Sequence, residues 1–240
     1  RYCLWIEDRD LQKAKQIPLI AQRLHNVSKW RAASSAETTK EYAAHPNRFK
    51  QVSYKPTDSI IVPRVSSERR DYVPIGYLDP ETVISDAANA IYDAEPWLFA
   101  LLTSRMHMVW LQAVGGRMKT DYRYGAYIVY NNFPVPPLTD QVKETLTQRA
   151  FRVLDVREYH CEYTLAELYD TEKMPENLRQ AHVDLDIAVD RIYRKPPFSS
   201  DDERLTLLFD LYRQMSDQKA PSQQATRTTQ RNRRTRKAQS

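Results

Sequence analysis

The sequence predicts an α+β fold: a mixed β-sheet unit with a buried central helix, then a small all-α bundle, then a disordered basic tail. Three observations predict it. Pro96 to Val114 is apolar on nearly every side, with Trp97, Leu98, Phe99, Leu101, Leu102 and Trp110 among its residues, and short β-prone runs flank it. A helix apolar all round is a buried one. After Pro137 the apolar residues recur only at helical spacing. From Lys219 to Ser240 no large apolar residue occurs, so that segment cannot bury enough surface to fold alone.

Taken in chain order, Tyr2 to Ile6 reads as a strand, and Ile17 to Trp30 as a short amphipathic helix with Ile17, Ile20, Leu24 and Val27 on one side. Residues 32–48 are polar and rich in Ser, Thr and Ala, which predicts mostly loop. Gln51 to Tyr54, Ser59 to Val62, Tyr72 to Tyr77 and Val83 to Ser85 have β-prone composition, while Ala88 to Tyr92 fits helix or strand and is read as strand because Pro96 opens a new element so soon after it. Pro96 suits the first residue of the central helix, and Gly115-Gly116 stops it. A β-like run, Ala126 to Tyr130, follows before Pro134, Pro136 and Pro137 close the unit.

Beyond Pro137, Val142, Leu146, Ala150, Val153 and Leu154 form one helical stripe. Thr164 to Glu167 is a capping box for a short helix. Pro175 starts another helix, along which Leu178, Ala181, Leu185, Ala188 and Ile192 step by 3, 4, 3 and 4. Ser200 to Glu203 is a second capping box, ahead of Leu205, Leu208, Tyr212 and Met215. These stripes are the core of an antiparallel bundle. The segments expected are 1–34 as the edge of a preceding domain or a linker from it, 35–137 as the sheet unit, 138–217 as the bundle and 218–240 as the tail.

Charge follows the same divisions. Residues 1–137 hold 18 Lys+Arg against 14 Asp+Glu, residues 138–218 hold 11 against 17, and residues 219–240 hold 7 against none. The net charge of +5 therefore comes mostly from the tail. Only Cys3 and Cys161 occur, which predicts a reduced, cytoplasmic setting. No apolar run is long enough to span a bilayer.

Reactive motifs are largely missing. The chain has four glycines and neither a P-loop nor GxGxxG. Its five histidines are scattered and give no zinc spacing with the two cysteines. His160-Cys161 is not a nucleophile–base pair, because neighbours on a helix point about 100° apart. No Glu-x-Lys of the nuclease type is present. Lys195-Pro196-Pro197-Phe198 ends like the amine-binding motif of amino-group DNA methyltransferases, but it opens with a cation, which cannot accept a hydrogen bond.

Binding chemistry is better represented. The stretch Pro63 to Tyr72 brings Arg64, Ser66, Ser67, Glu68, Arg69 and Arg70 after a β-prone run. Arginine addresses a guanine edge bidentately, glutamate accepts from cytosine N4, and serine or tyrosine holds phosphate. A second turn offers Arg117, Lys119, Asp121, Arg123 and Tyr124, and the central helix carries Arg105 and His107.

Three segments carry a family resemblance: PRVSSERRDYVPIGYL (63–78), LLTSRMHMVWLQAVGGRMKTDYRYGAYIVYNNFPVP (101–136) and TLAELYD…MPENLRQAHVDLDIAVDRIY (164–193). Together they resemble the C-terminal part of type IIL, MmeI-like, restriction-modification enzymes and their methyltransferase relatives, over nearly the whole chain to about residue 217. The resemblance implies a target recognition domain that reads double-stranded DNA in the major groove, followed by a C-terminal helical domain. It implies a partner methyltransferase domain upstream in the same polypeptide, which uses S-adenosylmethionine to methylate adenine-N6, and no cofactor within this chain. The thirteen residues expected at DNA are those of the two turns and the central helix named above. Gly125 departs from the family pattern, standing where a serine is expected after Asp-Tyr-Arg-Tyr, which removes one small hydroxyl contact. Two rival readings remain. One is a protein docking module built on the bundle. The other is an RNA binder in which Tyr122, Tyr124 and Tyr127 stack on unpaired bases.

Overall fold

A computed structural model describes residues 2–219, which divide into two compact units, Arg1–Tyr54 and Lys55–Ser240. The predicted tail lies outside the described residues, except that the last helix runs to Lys219.

The first unit is helical. It contains α1 (Leu11–Lys15), α2 (Pro18–Ala32) and the short α3 (Glu37–Lys40), the last continued by a 3-10 turn, Glu41–Ala44. Pro18 opens α2 in the first turn, where its missing N–H costs nothing. The Arg31 guanidinium donates to the backbone carbonyls of Tyr42, His45 and Arg48, binding the 41–48 segment to α2. Three expectations differ from the structure in this unit. Tyr2 to Ile6 forms no strand, and neither does Gln51 to Tyr54; instead Trp5 packs by its ring on Phe49 and Tyr54. The 32–48 stretch, expected as mostly loop, holds α3 and the 3-10 turn because a single polar turn can satisfy its own carbonyls.

The second unit combines sheets and helices, as the α+β expectation has it, with its strands divided between two three-stranded sheets. In one, β1 (Ser59–Pro63) lies between β3 (Gly76–Leu78) and β4 (Ala88–Tyr92), both antiparallel to it. In the other, β6 (Asp121–Arg123) lies between β2 (Val65–Ser66) and β5 (Gly116–Met118), again antiparallel. Val83 to Ser85 stays outside both sheets, and of Tyr72 to Tyr77 only its end is strand.

The apolar segment 96–114 is two helices, not one: α4 (Pro96–Leu102) and α5 (Arg105–Val114). The break falls at Thr103-Ser104, because the Ser104 hydroxyl caps α5 by accepting from the His107 N–H. Both helices are buried as expected, with Phe99, Met106, Trp110 and Leu111 fully enclosed. Ala126–Tyr130, expected as strand, is one turn of π-helix. It turns inward there because Val129 is buried and its carbonyl accepts from the Trp110 indole N–H at 3.1 Å.

The remaining helices are α6 (Asp140–Tyr159), α7 (Leu165–Leu168), α8 (Glu176–Tyr193) and α9 (Asp201–Lys219). The Thr164–Glu167 capping box is complete. The second box is half formed: Ser200 Oγ accepts from the Glu203 N–H, while the Glu203 carboxylate accepts from the Ser199 N–H instead. The α6 helix packs between α4 and α8, and α9 lies against α5, so the apolar stripes of the bundle and the central helices share one core.

A buried polar hub runs through that core. Arg157 donates to the carbonyl of Ile75 at 2.7 Å and to the Tyr169 hydroxyl. Tyr169 bonds His182 Nε2 at 2.7 Å, and the His182 ring stacks on Tyr72 at 4.2 Å. The Tyr72 hydroxyl donates to Asp186 at 2.7 Å, and Asp186 also accepts from the Arg105 N–H. Burial pushes the Asp186 carboxyl up to about 7 and holds His182 well below its usual range.

Candidate functional site

The sheet β2–β6–β5 assembles the two turns singled out in the sequence. Val65 pairs with Arg123 and Ser66 with Tyr122, while Gly116 and Arg117 pair with Arg123 and Tyr122 from the other side. The ladder continues past β6, where the Tyr124 N–H donates to the Arg64 carbonyl at 2.9 Å. At the other end, Asp121 accepts from the Glu68 N–H at 3.4 Å. Residues 64–70 and 116–123 are therefore one continuous surface, although about fifty residues of chain separate them.

Alternation puts Ser66, Tyr122 and Arg117 on one face of the sheet and Val65 and Arg123 on the other. Ser66 and Tyr122 face inward and are buried, whereas Arg64, Glu68, Arg69, Arg117, Lys119 and Arg123 are exposed. Ser67, Arg70 and Asp121 are half-buried. The Arg117 guanidinium sits 4.1 Å from the Tyr122 ring centroid and donates to the Thr120 carbonyl, which holds it flat on the hairpin. Lys119 is the first of two residues joining β5 to β6, and its φ of 58° lies in the left-handed region. Its side chain is exposed at the hairpin tip. Among the described residues no ion pair engages Arg64, Arg69, Arg70, Lys119 or Arg123.

The surface is held from below and from one side. The Tyr124 hydroxyl bonds His107 Nε2 at 2.9 Å, and the His107 ring packs edge-on to Phe133 at 4.5 Å. Asn89 of β4 donates to the Tyr124 carbonyl, tying the two sheets together. Where the first loop ends, Asp71 meets Arg179 of α8 at 3.5 Å, and Tyr72 is fixed to Asp186. Both margins of the loop are thus anchored while its middle is left to solvent.

Four of the thirteen residues expected at the ligand are turned into the fold instead. His107 and Tyr124 are enclosed, at 0% and 4% exposure, and burial lowers the His107 imidazole to about 3. A neutral, enclosed imidazole and a buried phenol have no path to an external ligand. Arg105 is paired with Asp201 and donates to the Asp71 carbonyl, so its charge is already used within the fold. Ser66 is inward-facing with its hydroxyl buried. These four shape the platform; the other nine lie on it or at its edge. Asn89 was not singled out from the sequence, since a lone asparagine in a β-prone run gives no local signal.

No group of three or more His, Cys, Asp or Glu side chains among the described residues is placed to hold a metal ion. No described helix is long and apolar enough to cross a membrane. A small sheet presenting unpaired arginines, braced by a helical core, defines a recognition module for a polar, anionic ligand.

The comparisons with known proteins agree with that class. The chain belongs to the MmeI family: residues 1–137 match the family model for "MmeI, target recognition domain" and residues 138–219 that for "MmeI, C-terminal domain". It is 43% identical over 217 residues to DNA methyltransferase A of Bacillus subtilis (strain 168), covering 90% of this chain and 25% of that protein. Its fold is similar to the type IIL restriction-modification enzyme MmeI, solved in complex with DNA. The TM-score is 0.81 at 38% identity, covering 90% of this chain and 29% of that one. The chain thus spans about a quarter of the length of the relatives it matches.

Proposed function

We propose that this chain recognises a short sequence in double-stranded DNA on behalf of a site-specific adenine methyltransferase. The observation that carries the reading is the sheet β2–β6–β5, which brings the exposed Arg64, Arg69, Arg117, Lys119 and Arg123 together around one small sheet with Glu68 and Asp121 beside them. Mixed charge suits base reading better than simple phosphate binding. Arginine and lysine address guanine, and the carboxylates address cytosine or adenine amines. Those side chains farther from the groove would contact phosphates and set the register. The two relatives, one named a DNA methyltransferase and one solved with DNA, support the same reading.

On this proposal, methyl transfer and the flipping of the target adenine belong to a methyltransferase domain of the same polypeptide, in the cytoplasm, with S-adenosylmethionine as its cofactor. The residues in hand do not fit that cofactor. Gly76 lies in a strand, Gly115 and Gly116 lead from α5 into β5, and Gly125 precedes the π-turn, so none forms a strand-to-helix cradle for a nucleoside. Residues 35–137 do the reading, and α8 holds the first contact loop in place through Asp71 and Tyr72.

Fluorescence anisotropy with labelled duplex DNA and hairpin RNA across a salt series tests this. The expected result is duplex binding whose affinity falls steeply with salt, by a log–log slope of about −0.9 for each phosphate neutralised. Preference for the hairpin, or no binding to either nucleic acid, would replace this reading with the RNA or docking alternative.

A further inference from the structure

The turn that follows β6 displays two large apolar side chains for which the fold has no use. Tyr127 is 84% exposed and Ile128 is 55% exposed. Their support, by contrast, is rigid. The Gly125 carbonyl accepts from the N–H groups of Ile128 and Val129, the Asn132 side-chain amide donates to the Tyr127 carbonyl at 3.0 Å, and Trp110 holds the Val129 carbonyl from the core. The buried Val129 follows Ile128 directly. A loop that merely tolerated exposed residues would not need three separate anchors beneath two of them.

Position along the chain limits where this turn can be. Tyr127 lies four residues after Arg123, so their Cα atoms are at most roughly 14 Å apart, within the width of a duplex seated on the sheet. Apolar side chains presented beside a cationic surface match the way DNA-bending proteins enter base steps, where a wedge replaces one stacking partner. Tyrosine offers a flat ring for that purpose, and β-branched isoleucine is stiff at χ1.

We propose that Tyr127 and Ile128 form an apolar wedge that enters the duplex beside the sheet and unstacks one base step. This rests on the DNA-recognition reading above. The wedge reads deformability rather than base edges, favouring sequences with an easily opened step at one fixed distance from those read by Arg123.

The test uses the 240-residue chain and a duplex enriched by it from a random-sequence pool, carrying 2-aminopurine at successive positions in separate preparations. With the unaltered chain, emission should rise several-fold at one step and stay low elsewhere. Tyr127→Ala should abolish that rise and weaken binding about tenfold, while keeping the same preferred base edges. Tyr127→Phe should preserve both the rise and the affinity. Because Tyr127 is almost fully exposed, loss of folding does not confuse the result, and circular dichroism of each variant checks that. The wedge is overturned if no position brightens with the unaltered chain or if Tyr127→Ala brightens equally. It is also overturned if Tyr127→Phe behaves like Tyr127→Ala, which would mark a hydroxyl contact instead. Failure to enrich any duplex would overturn the recognition reading itself, and the wedge with it.

Discussion

The sheet around Arg123 and the hub around Arg157 are built from the same residue types, arginine, tyrosine, aspartate and histidine, and they put them to opposite uses. In the hub every guanidinium is engaged. Arg157 bonds a carbonyl and a phenol and lies against the rings of Phe99 and Tyr169, while Arg204 pairs with Asp190 and Asp201. On the sheet, Arg64, Arg69 and Arg123 face water with no ion pair among the described residues. Satisfied polar groups in a core fix one arrangement of the chain; unsatisfied ones on a rigid surface remain available to a ligand. Residue type alone therefore does not mark the site, and burial does.

The largest effect that follows falls on the hub. Arg157→Ala removes the donor to both Ile75 and Tyr169 and leaves a cavity beside Phe99, and it should lower unfolding free energy by roughly 4 kcal/mol. Urea denaturation measures this. Arg69→Ala in the same assay should change stability by no more than about 0.5 kcal/mol. Equal losses for the two would erase the distinction between the regions.

Protonation separates the regions next. Asp186 is raised to about 7 by burial, against an unfolded carboxyl near 4, even though the Arg105 N–H and the Tyr72 hydroxyl pull the other way. Between about pH 4 and pH 7 the unfolded chain has released a proton that the folded chain keeps, so this group costs stability progressively as pH rises through that window. His107 and His182 have depressed values, so their cost appears as pH falls below about 6.5. Asp186→Asn should therefore gain on the unaltered chain by roughly 2–3 kcal/mol from pH 4 to 7 and then level off. The difference between the two denaturation series isolates Asp186, because both chains share the histidines. A flat difference would mean Asp186 is ionised in the core throughout.

On the sheet the corresponding loss is one of binding. Arg69→Ala in a full-length methyltransferase carrying this chain should relax one position of the recognised sequence, at a cost of about 1–3 kcal/mol in discrimination. Sequencing of the methylated sites reads it directly. Unchanged fidelity and rate would remove Arg69 from the reading set.

Much of this was legible beforehand, and the rest was hidden for identifiable reasons. The helices from Pro18 and from Glu176 follow from their apolar spacing, and the short helix α7 follows from Thr164 and Glu167. The two contact turns were visible as charge clusters, but that they share a sheet depends on the pairing of Ser66 with Tyr122, which no local pattern encodes. The break at Ser104 was concealed because both halves of 96–114 are apolar and a single capping serine looks like any other. Ala126–Tyr130 has β-type composition, yet the reach of Trp110 to the Val129 carbonyl folds it into a turn. Arg105 and His107 read as ligand-facing because their partners, Asp201 and Tyr124, are distant in sequence by 96 and 17 residues.

The smallest effect adds a polar group to the sheet region. Gly125 has φ −97° and ψ 118°, open to any residue, and a Cβ placed there meets nothing within 4 Å. It is also the residue whose carbonyl caps the π-turn, a position where serine is at least as good as glycine. Gly125→Ser should leave the unfolding free energy unchanged or raise it by a few tenths of a kcal/mol, so the melting temperature should not fall. Lying two residues from Arg123, the new hydroxyl should tighten duplex binding about two- to threefold through one phosphate contact. Unchanged affinity would mean that the DNA backbone does not pass this end of β6, while a lower melting temperature would contradict the open geometry around Gly125.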